Sequence, residues 1–248
     1  MKTSAGVTFR LVPRAELLPA QKAEMFELLT QHFGGVAPER FARDLAEKNL
    51  ALLLERQDRL VGFSTLLAYP TTFDDEAVNV IYSGDTIVTP DAWGTTALPR
   101  AWVAGVNALR AKKLPPGRCF WLLLTSGFRT YRFLPVFWRE FFPRFDAPTP
   151  TTVQRLLDQL AGERFGTQFD PETGIVRFTY PQRLRAGLKE VPAGREQDSH
   201  VSFFISRNPG HTNGDELVCL TELCPENLTT AGRRMMTPQS YATQGNHR

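Results

Sequence analysis

The stretch VNVIYSGDTIVTPDAWGTTALPRAW (residues 78–102) reads as a strand, a polar loop and the start of a long helix. Amides in the first turn of a helix have no intrahelical partner, and the helix dipole favours anions there, so such a loop can hold a phosphate. Gly94, Thr95 and Thr96 would offer amides, and both threonine hydroxyls can donate hydrogen bonds. Asp91 would repel a phosphate unless it turns away or caps the helix. The loop is therefore either a phosphate site or a plain helix start with threonine capping.

Hydrophobic periodicity predicts an α/β chain with the element order β-α-α-β-β-β-α-β-α as far as Pro143. Apolar residues three and four apart mark the helices, and alternating or continuous apolar runs mark the strands. The predicted elements are a strand at 7–11, helices at 19–33 and 38–49, strands at 50–55, 60–68 and 78–88, a helix at 95–113, a strand at 118–125 and an aromatic helix at 130–143.

The composition becomes polar and proline-containing after the aromatic helix, with one predicted short helix near 151–160. We interpret this segment as an insertion or a small subdomain. The chain then returns in a predicted hairpin, with strands at 200–206 and 216–223. The predicted organisation is a core at 1–145, an insertion at 146–199, a C-terminal hairpin at 200–236 that completes the core, and a flexible tail at 237–248.

Bulk composition excludes several classes of function. With 42% hydrophobic residues and only short apolar runs, the 248-residue chain is predicted to be soluble and to have no membrane span. Its net charge of +3 is scattered, without the dense basic stripe of a nucleic-acid-binding surface. Three cysteines fit neither a disulfide framework nor a zinc site, and no histidine has metal-ligand spacing, so no metal is expected. No secretory signal is visible, and the expected location is the cytoplasm.

The order of elements, together with the Val-x-Pro sequence at 88–90 and Gly94, resembles the GNAT superfamily of N-acetyltransferases. In that family the fourth strand leads into a pyrophosphate-binding loop of pattern Gln/Arg-x-x-Gly-x-Gly/Ala, and a third helix follows. Gly94 matches the central glycine, whereas Asp91 and Thr96 occupy the other two positions. The resemblance implies an α/β (α+β) fold with a GNAT-like mixed central sheet flanked by helices, and with an insertion before the last hairpin. It covers roughly residues 7–143 and 200–224.

The same resemblance implies an N-acyltransferase that moves an acyl group from acetyl-CoA, or another acyl-CoA, to an amine or a similar small acceptor. The backbone amides of Ile87 and Val88 are implied to hold the pantetheine arm of the donor. Gly94, Thr95 and Thr96 are implied to contact its pyrophosphate.

For catalysis, the resemblance implies a carboxylate base on or near the fourth strand, and Asp85 is the acid within that strand. The Ser-Gly pair before it would mark a bulge that redirects Asp85, and a purely structural aspartate is the alternative. Family members often protonate the departing thiolate with a tyrosine in the fourth helix. Phe137 falls at that place, so Tyr131 is a substitute candidate, with a packing role as its alternative. His211, near the predicted final hairpin, is a second candidate base, with a solvated turn as its alternative.

Two alternatives to a CoA-dependent enzyme stay open. In the first, an acyl-carrier protein supplies the thioester with a longer acyl chain, and the aromatic helix and the insertion line an acyl tunnel. In the second, the chain is a non-catalytic GNAT-like binding or interaction module. We expect an enzyme.

Overall fold

The structure, a computed structural model, describes residues 6–236, so the predicted tail at 237–248 lies outside the described residues. Its strands are β1 (Thr8–Pro13), β2 (Phe33–Gly34), β3 (Leu50–Arg56), β4 (Arg59–Phe73), β5 (Glu76–Val88), β6 (Cys119–Thr125), β7 (Phe169–Asp170), β8 (Ile175–Val176), β9 (Arg183–Leu184) and β10 (Glu216–Glu222). Its α-helices are α1 (Pro19–His32), α2 (Pro38–Glu47), α3 (Ala97–Lys113), α4 (Phe128–Tyr131), α5 (Phe133–Phe137), α6 (Thr151–Phe165), α7 (Ser199–Arg207) and α8 (Thr230–Met236). Within this part of the chain, no helix is both long enough and apolar enough to cross a membrane.

Eight strands form one sheet in the order β1-β3-β4-β5-β6-β10-β8-β7. Neighbouring strands are antiparallel except β5 and β6, which run parallel. Two-residue turns, Gln57-Asp58 and Asp74-Asp75, join β3 to β4 and β4 to β5, and their φ angles lie between 48° and 63°. Left-handed turns of this kind match the twist of paired strands. The structure therefore confirms the predicted mixed sheet.

Helices cover both faces of this sheet. Successive strand residues point to opposite sides, and apolar side chains on both faces are buried under helices. Leu52 and Ile81 pack under α3 on one face. Leu53 and Phe63 pack under α1 and α2 on the other face. Tyr82 packs on that second face against α6, beside α1 and α2. The predicted flanking helices are thus present, and α6 of segment 146–199 contributes to the core.

The rest of segment 146–199 extends the sheet and crosses over it. Val176 of β8 pairs with Glu216 of β10, which adds β8 and β7 to the edge of the main sheet. Leu184 of β9 pairs with Phe33 of β2 in a separate two-stranded sheet. The segment is therefore in contact with the N-terminal part of the chain at several points.

The prediction of one aromatic helix over residues 130–143 is wrong in the length of the helix. The chain instead forms the short helices α4 and α5, which end at Phe137. Pro135 lies inside this stretch and has no N–H, so it cannot bond to the carbonyl four residues earlier. Beyond Phe137 the chain is not helical, and Trp138 and Phe142 form isolated bridges to Leu228 and to Leu220 of β10.

The predicted C-terminal hairpin is also wrong, because residues 200–206 belong to helix α7 rather than to a strand. The Asp198 carboxylate accepts a hydrogen bond from the His200 amide at 3.1 Å and caps the helix. Val201 and Phe204, three residues apart, are the buried residues of α7, as helical spacing requires. The strand β10 instead pairs with β6 on one side and with β8 on the other.

Candidate active site

The central feature of the site is the point where β5 and β6 part. These strands pair from Asn79 to Ser83 of β5, whereas β5 continues to Val88 with pairing only to β4. The register between β4 and β5 also shifts here, so that Gly84 and Asp85 lie opposite the single residue Thr65. This extra residue is a β-bulge, as the Ser-Gly pair predicts. The edge of β5 beyond Ser83 is thus open on the side where β6 would otherwise continue.

The buried side chain of Lys48 packs against Gly84 of the bulge. The side chain of Lys48 is fully buried, and its Nζ donates to the Asp44 side chain at 2.5 Å and to the Asp44 carbonyl at 3.1 Å. A Cβ added at Gly84 would lie 2.5 Å from both Lys48 Cε and Thr65 Oγ1. Only glycine therefore fits at this position of the bulge.

A cavity of about 1010 Å³ occupies the opening between the parted strands. On the α3 side its wall includes Leu98, Trp102 and Phe137, together with the loop that precedes α3. On the opposite side it is bordered by α1, α2 and residues 168–195 of the crossing segment. A cavity of this size can hold two reactants at once.

Three carboxyl groups line the cavity, those of Asp44, Asp85 and Glu216. Burial raises the pKa of Asp85 to about 7, and the negative Asp44 adds to this effect, whereas Lys48 opposes it. Burial raises the pKa of Glu216 to about 8, with further contributions from Asp85 and Asp44. Asp85 and Glu216 are therefore both poised to exchange protons near neutral pH, and a charge on Asp85 raises the pKa of Glu216. Within residues 6–236, no group of His, Cys, Asp or Glu side chains is arranged to hold a metal ion.

The predicted cofactor residues separate into two groups. Ile87 and Val88 on the open edge of β5 line the cavity, as does Thr95 in the loop before α3. Gly94 and Thr96 do not line it, although they flank Thr95. A Cβ added at Gly94 would have no other atom within 4 Å. Packing inside the chain therefore does not require a glycine here, and the missing side chain leaves free space beside the loop.

The two unusual loop residues are placed differently, since Trp93 lines the cavity and Asp91 does not. Asp91 forms an ion pair with Arg56 at 2.5 Å and is not part of the cavity wall. The nearby Thr89 hydroxyl and the Arg56 guanidinium lower the pKa of Asp91. Trp93 donates its indole N–H to the Val88 carbonyl at 2.7 Å, which fixes its ring in the cavity wall.

A cationic side chain covers this tryptophan. The Arg129 guanidinium lies 4.1 Å from the centre of the Trp93 ring, and it also donates to the Leu188 carbonyl at 2.8 Å. The contact is a cation–π interaction. It connects the loop before α3 to α4 and to the crossing segment at the cavity wall.

The other two predicted catalytic residues lie outside the cavity wall. Tyr131 is fully buried, and its hydroxyl donates to the Pro143 carbonyl at 3.0 Å. His211 is buried against Phe204, and burial lowers its pKa. The packing role left open for Tyr131 fits its position, and neither residue is retained as a candidate acid or base. Phe137 lines the cavity but carries no ionisable proton.

The sequence reasoning missed several residues that the fold brings to the site. Glu216 comes from β10 and was visible only as one of several polar residues near the final strands. Asp44 and Lys48 are four residues apart, and this spacing places an acid and a base on one helix face. Ser83 was noted only as a marker of the bulge. Nothing in its immediate neighbourhood in the sequence indicates that two distant tryptophans contact its hydroxyl.

Comparison with solved structures finds partial likenesses of fold. An acyl-CoA N-acyltransferase from Pseudomonas aeruginosa is 15% identical, with 49% of this chain and 80% of that chain covered and a TM-score of 0.38. A GNAT family acetyltransferase from Brucella melitensis, solved with acetyl-CoA, is 16% identical, with 46% and 74% covered and a TM-score of 0.33. A conserved protein of unknown function from Enterococcus faecalis is 11% identical, with 89% and 67% covered and a TM-score of 0.42.

No protein-family model and no curated protein matches the sequence. The fold can nevertheless be compared directly with what the sequence resemblance implies. The fourth main-sheet strand, β5, leads through a short loop into the long helix α3, and β6 follows in the next position of the sheet. Helices lie on both faces of the mixed sheet. The order of these elements is the one that the resemblance of the sequence to the GNAT superfamily implies.

Proposed function

We propose that the chain is an acyltransferase that moves an acyl group from the thioester of an acyl-CoA to an amine. The observation that carries this proposal is the opening between β5 and β6, with Asp85 on a bulge beside it. The cavity reaches both faces of the sheet, which allows a donor and an acceptor to meet from opposite sides. Holding two reactants in line is itself a large contribution to rate.

The α3 side of the cavity suits the donor. On the open edge of β5 the backbone N–H of Val88 points away from β4 and can donate a strand-like hydrogen bond to a pantetheine arm, whereas the Val88 carbonyl already accepts the Trp93 indole N–H. The backbone groups of Ile87, opposite Phe63, face β4. The free amides of the first turn of α3 favour phosphate oxygens, whereas the amide and the hydroxyl of Thr95 both donate to the Ala92 carbonyl. Arg129 adds a positive charge at the same wall. When bound, an acyl-CoA supplies the activated acyl carbonyl.

The opposite side suits the acceptor. The amine must lose one proton when its nitrogen bonds to the acyl carbon and the carbon–sulfur bond breaks. Asp85 is the group that accepts this proton, because a pKa of about 7 leaves a useful fraction ionised at neutral pH. Glu216 attracts the cationic acceptor when it is ionised and otherwise carries a proton that it can donate to a hydrogen bond.

A ligand-binding experiment tests the donor site. Free CoA, acetyl-CoA and longer acyl-CoAs are each expected to raise the melting temperature of the protein in a concentration-dependent way. Gly94→Glu should abolish this response, because the added carboxylate would enter the free space beside the phosphate-binding amides. Gly162→Glu is the matched control, since Gly162 is exposed on α6, away from the cavity wall, and also has open space around it. If CoA raised the melting temperatures of the two variants equally, the loop before α3 would not be part of the donor site.

A turnover experiment tests the reaction. Acyl transfer to a panel of small amines should fall by about 10²–10⁴-fold in Asp85→Asn, as expected for loss of a general base. Asp75→Asn makes the same change of charge in the exposed turn between β4 and β5 and should retain full turnover. Transfer only from an acyl-carrier protein would change the donor. Stabilisation by CoA without transfer from any thioester would favour a binding module.

A further inference from the structure

Ser83 lies at the last paired position of β5 and β6, where the cavity begins. Its side chain points to the α3 face of the sheet, because it contacts tryptophans from α3 and β6. The indole N–H of Trp102 donates to Ser83 Oγ at 3.0 Å, and the indole N–H of Trp121 donates to the same oxygen at 2.8 Å. Ser83 is 3% exposed, and all three residues line the cavity.

The two indoles determine what the serine hydroxyl can do. A hydroxyl has one hydrogen to donate and two lone pairs that accept, whereas an indole nitrogen only donates. Both lone pairs of Ser83 Oγ are therefore occupied by Trp102 and Trp121. Among the described residues, no acceptor is positioned for the hydroxyl hydrogen of Ser83. This hydrogen is left for an acceptor inside the cavity.

Packing holds this arrangement in place. The rings of Trp102 and Trp121 are 4.5 Å apart, and both contact Trp138, at 5.6 and 4.9 Å. Because all three tryptophans are buried, neither indole donor can rotate away without disturbing the core. Ser83 is thereby fixed as a donor before any ligand binds, which reduces the reorganisation needed during a reaction.

We propose that the Ser83 hydroxyl donates a hydrogen bond to the thioester of the acyl donor, and that Ser83 is a catalytic residue of this site. This inference rests on the proposed function, which places the donor on the α3 side of the cavity. The two positions that the family resemblance suggests for a thiolate-protonating tyrosine supply no such donor, since Phe137 has no polar hydrogen and Tyr131 donates to the Pro143 carbonyl. The two indole donors make the serine oxygen less electron-rich and so strengthen the bond that its hydrogen makes.

The effect should grow as the reaction proceeds. Negative charge develops on the acyl oxygen and on the leaving sulfur while the carbon–sulfur bond breaks, and a hydrogen bond to a charged group is stronger than one to a neutral group. Ser83 transfers no proton in this scheme. The amine proton goes to Asp85, and the thiol leaves as a thiolate that takes a proton from water.

The test compares Ser83→Ala with Ser64→Ala. Ser64 is also fully buried and does not itself line the cavity, although its hydroxyl bonds at 2.8 Å to Thr86, which does, so this variant controls for the loss of a buried hydroxyl in the same sheet beside the site. Ser83→Ala should lower kcat by about 10–100-fold with a small change in KM, because the lost bond is strongest in the transition state. Both variants should still be stabilised by free CoA, which has no thioester.

Binding provides a readout that does not depend on turnover. A ketone analogue of acetyl-CoA keeps the carbonyl but cannot transfer the acyl group. Ser83→Ala should weaken this analogue by about five- to tenfold relative to free CoA, as expected for one hydrogen bond. Trp102→Phe keeps a ring in place but frees one lone pair of Ser83, and it should lower kcat by a smaller factor. This second variant serves if Ser83→Ala, which leaves two indole donors unpaired, does not fold.

The outcomes separate this inference from the function on which it rests. If the unsubstituted protein transfers acyl groups and Ser83→Ala matches Ser64→Ala within about twofold in kcat and in analogue binding, the role of Ser83 is refuted alone. Unchanged kcat in Trp102→Phe would refute it in the same way when Ser83→Ala is not available. If the unsubstituted protein neither binds CoA nor transfers an acyl group, both the function and the role of Ser83 are refuted.

Discussion

Gly84→Ala is the substitution that most directly tests the bulge beneath the site. The added Cβ would lie 2.5 Å from Lys48 Cε and from Thr65 Oγ1, distances at which something must move. Lys48 cannot move freely, because its buried ammonium is held by Asp44 at 2.5 Å. Overpacking of this kind typically costs about 1–3 kcal/mol, which lowers the melting temperature of a chain of this size by roughly 2–12 °C.

Differential scanning calorimetry of Gly84→Ala beside Gly94→Ala gives the comparison. An added methyl group at Gly94 meets no atom within 4 Å, so the melting temperature of this control should stay within about 1–2 °C of the unsubstituted protein. The Gly84 variant should also lose turnover, because a shifted bulge displaces Asp85. A melting temperature and a turnover equal to those of the control would refute the packing of Lys48 beneath the bulge.

The remaining predictions concern the tyrosine and the second carboxyl group. Tyr131→Phe should retain kcat within about twofold while losing about 1 kcal/mol of stability, measured by urea unfolding, because its hydroxyl only bonds to the Pro143 carbonyl. A large loss of kcat at constant KM would restore Tyr131 as a candidate acid. The pKa of Glu216 is raised from 4.5 to about 8 in the folded protein. Between these two pH values the unfolded state releases a proton that the folded state retains, so the free energy of unfolding falls as pH rises through this range. Glu216→Gln should therefore melt higher than the unsubstituted protein above pH 8 and equally at pH 4; a difference of the opposite sign would contradict the burial of this carboxyl group.

Most of the sheet could be predicted from sequence, because the strands and long helices have unambiguous apolar spacing. Segment 200–206 could not, since its apolar residues fit both an alternating strand and one face of a helix. The capping aspartate before it, Asp198, was the signal for a helix. The crossing segment carries few apolar residues, and its pairing with β2 and β10 depends on contacts distant in sequence.

The residues of the candidate site were likewise only partly predictable from the sequence. Asp85 was accessible to sequence reasoning because a charge within an apolar strand stands out, and the preceding Ser-Gly pair indicated the bulge. Glu216 and Lys48 were not, since they approach Asp85 only after β10 and α2 have packed. The double hydrogen bond to Ser83 depends on residues 19 and 38 positions away. Such contacts follow from tertiary packing and leave no local pattern.

The pH dependence of kcat/KM for acyl transfer, measured for the unsubstituted protein and for Asp85→Asn, tests the central claim most directly. Because Asp85 must be ionised to accept the amine proton, kcat/KM should rise with pH through about 7. Asp85→Asn should lower kcat/KM and remove this rise near pH 7. A profile that keeps the same rise near pH 7 in Asp85→Asn would contradict the assignment of Asp85 as the base at the parted strands.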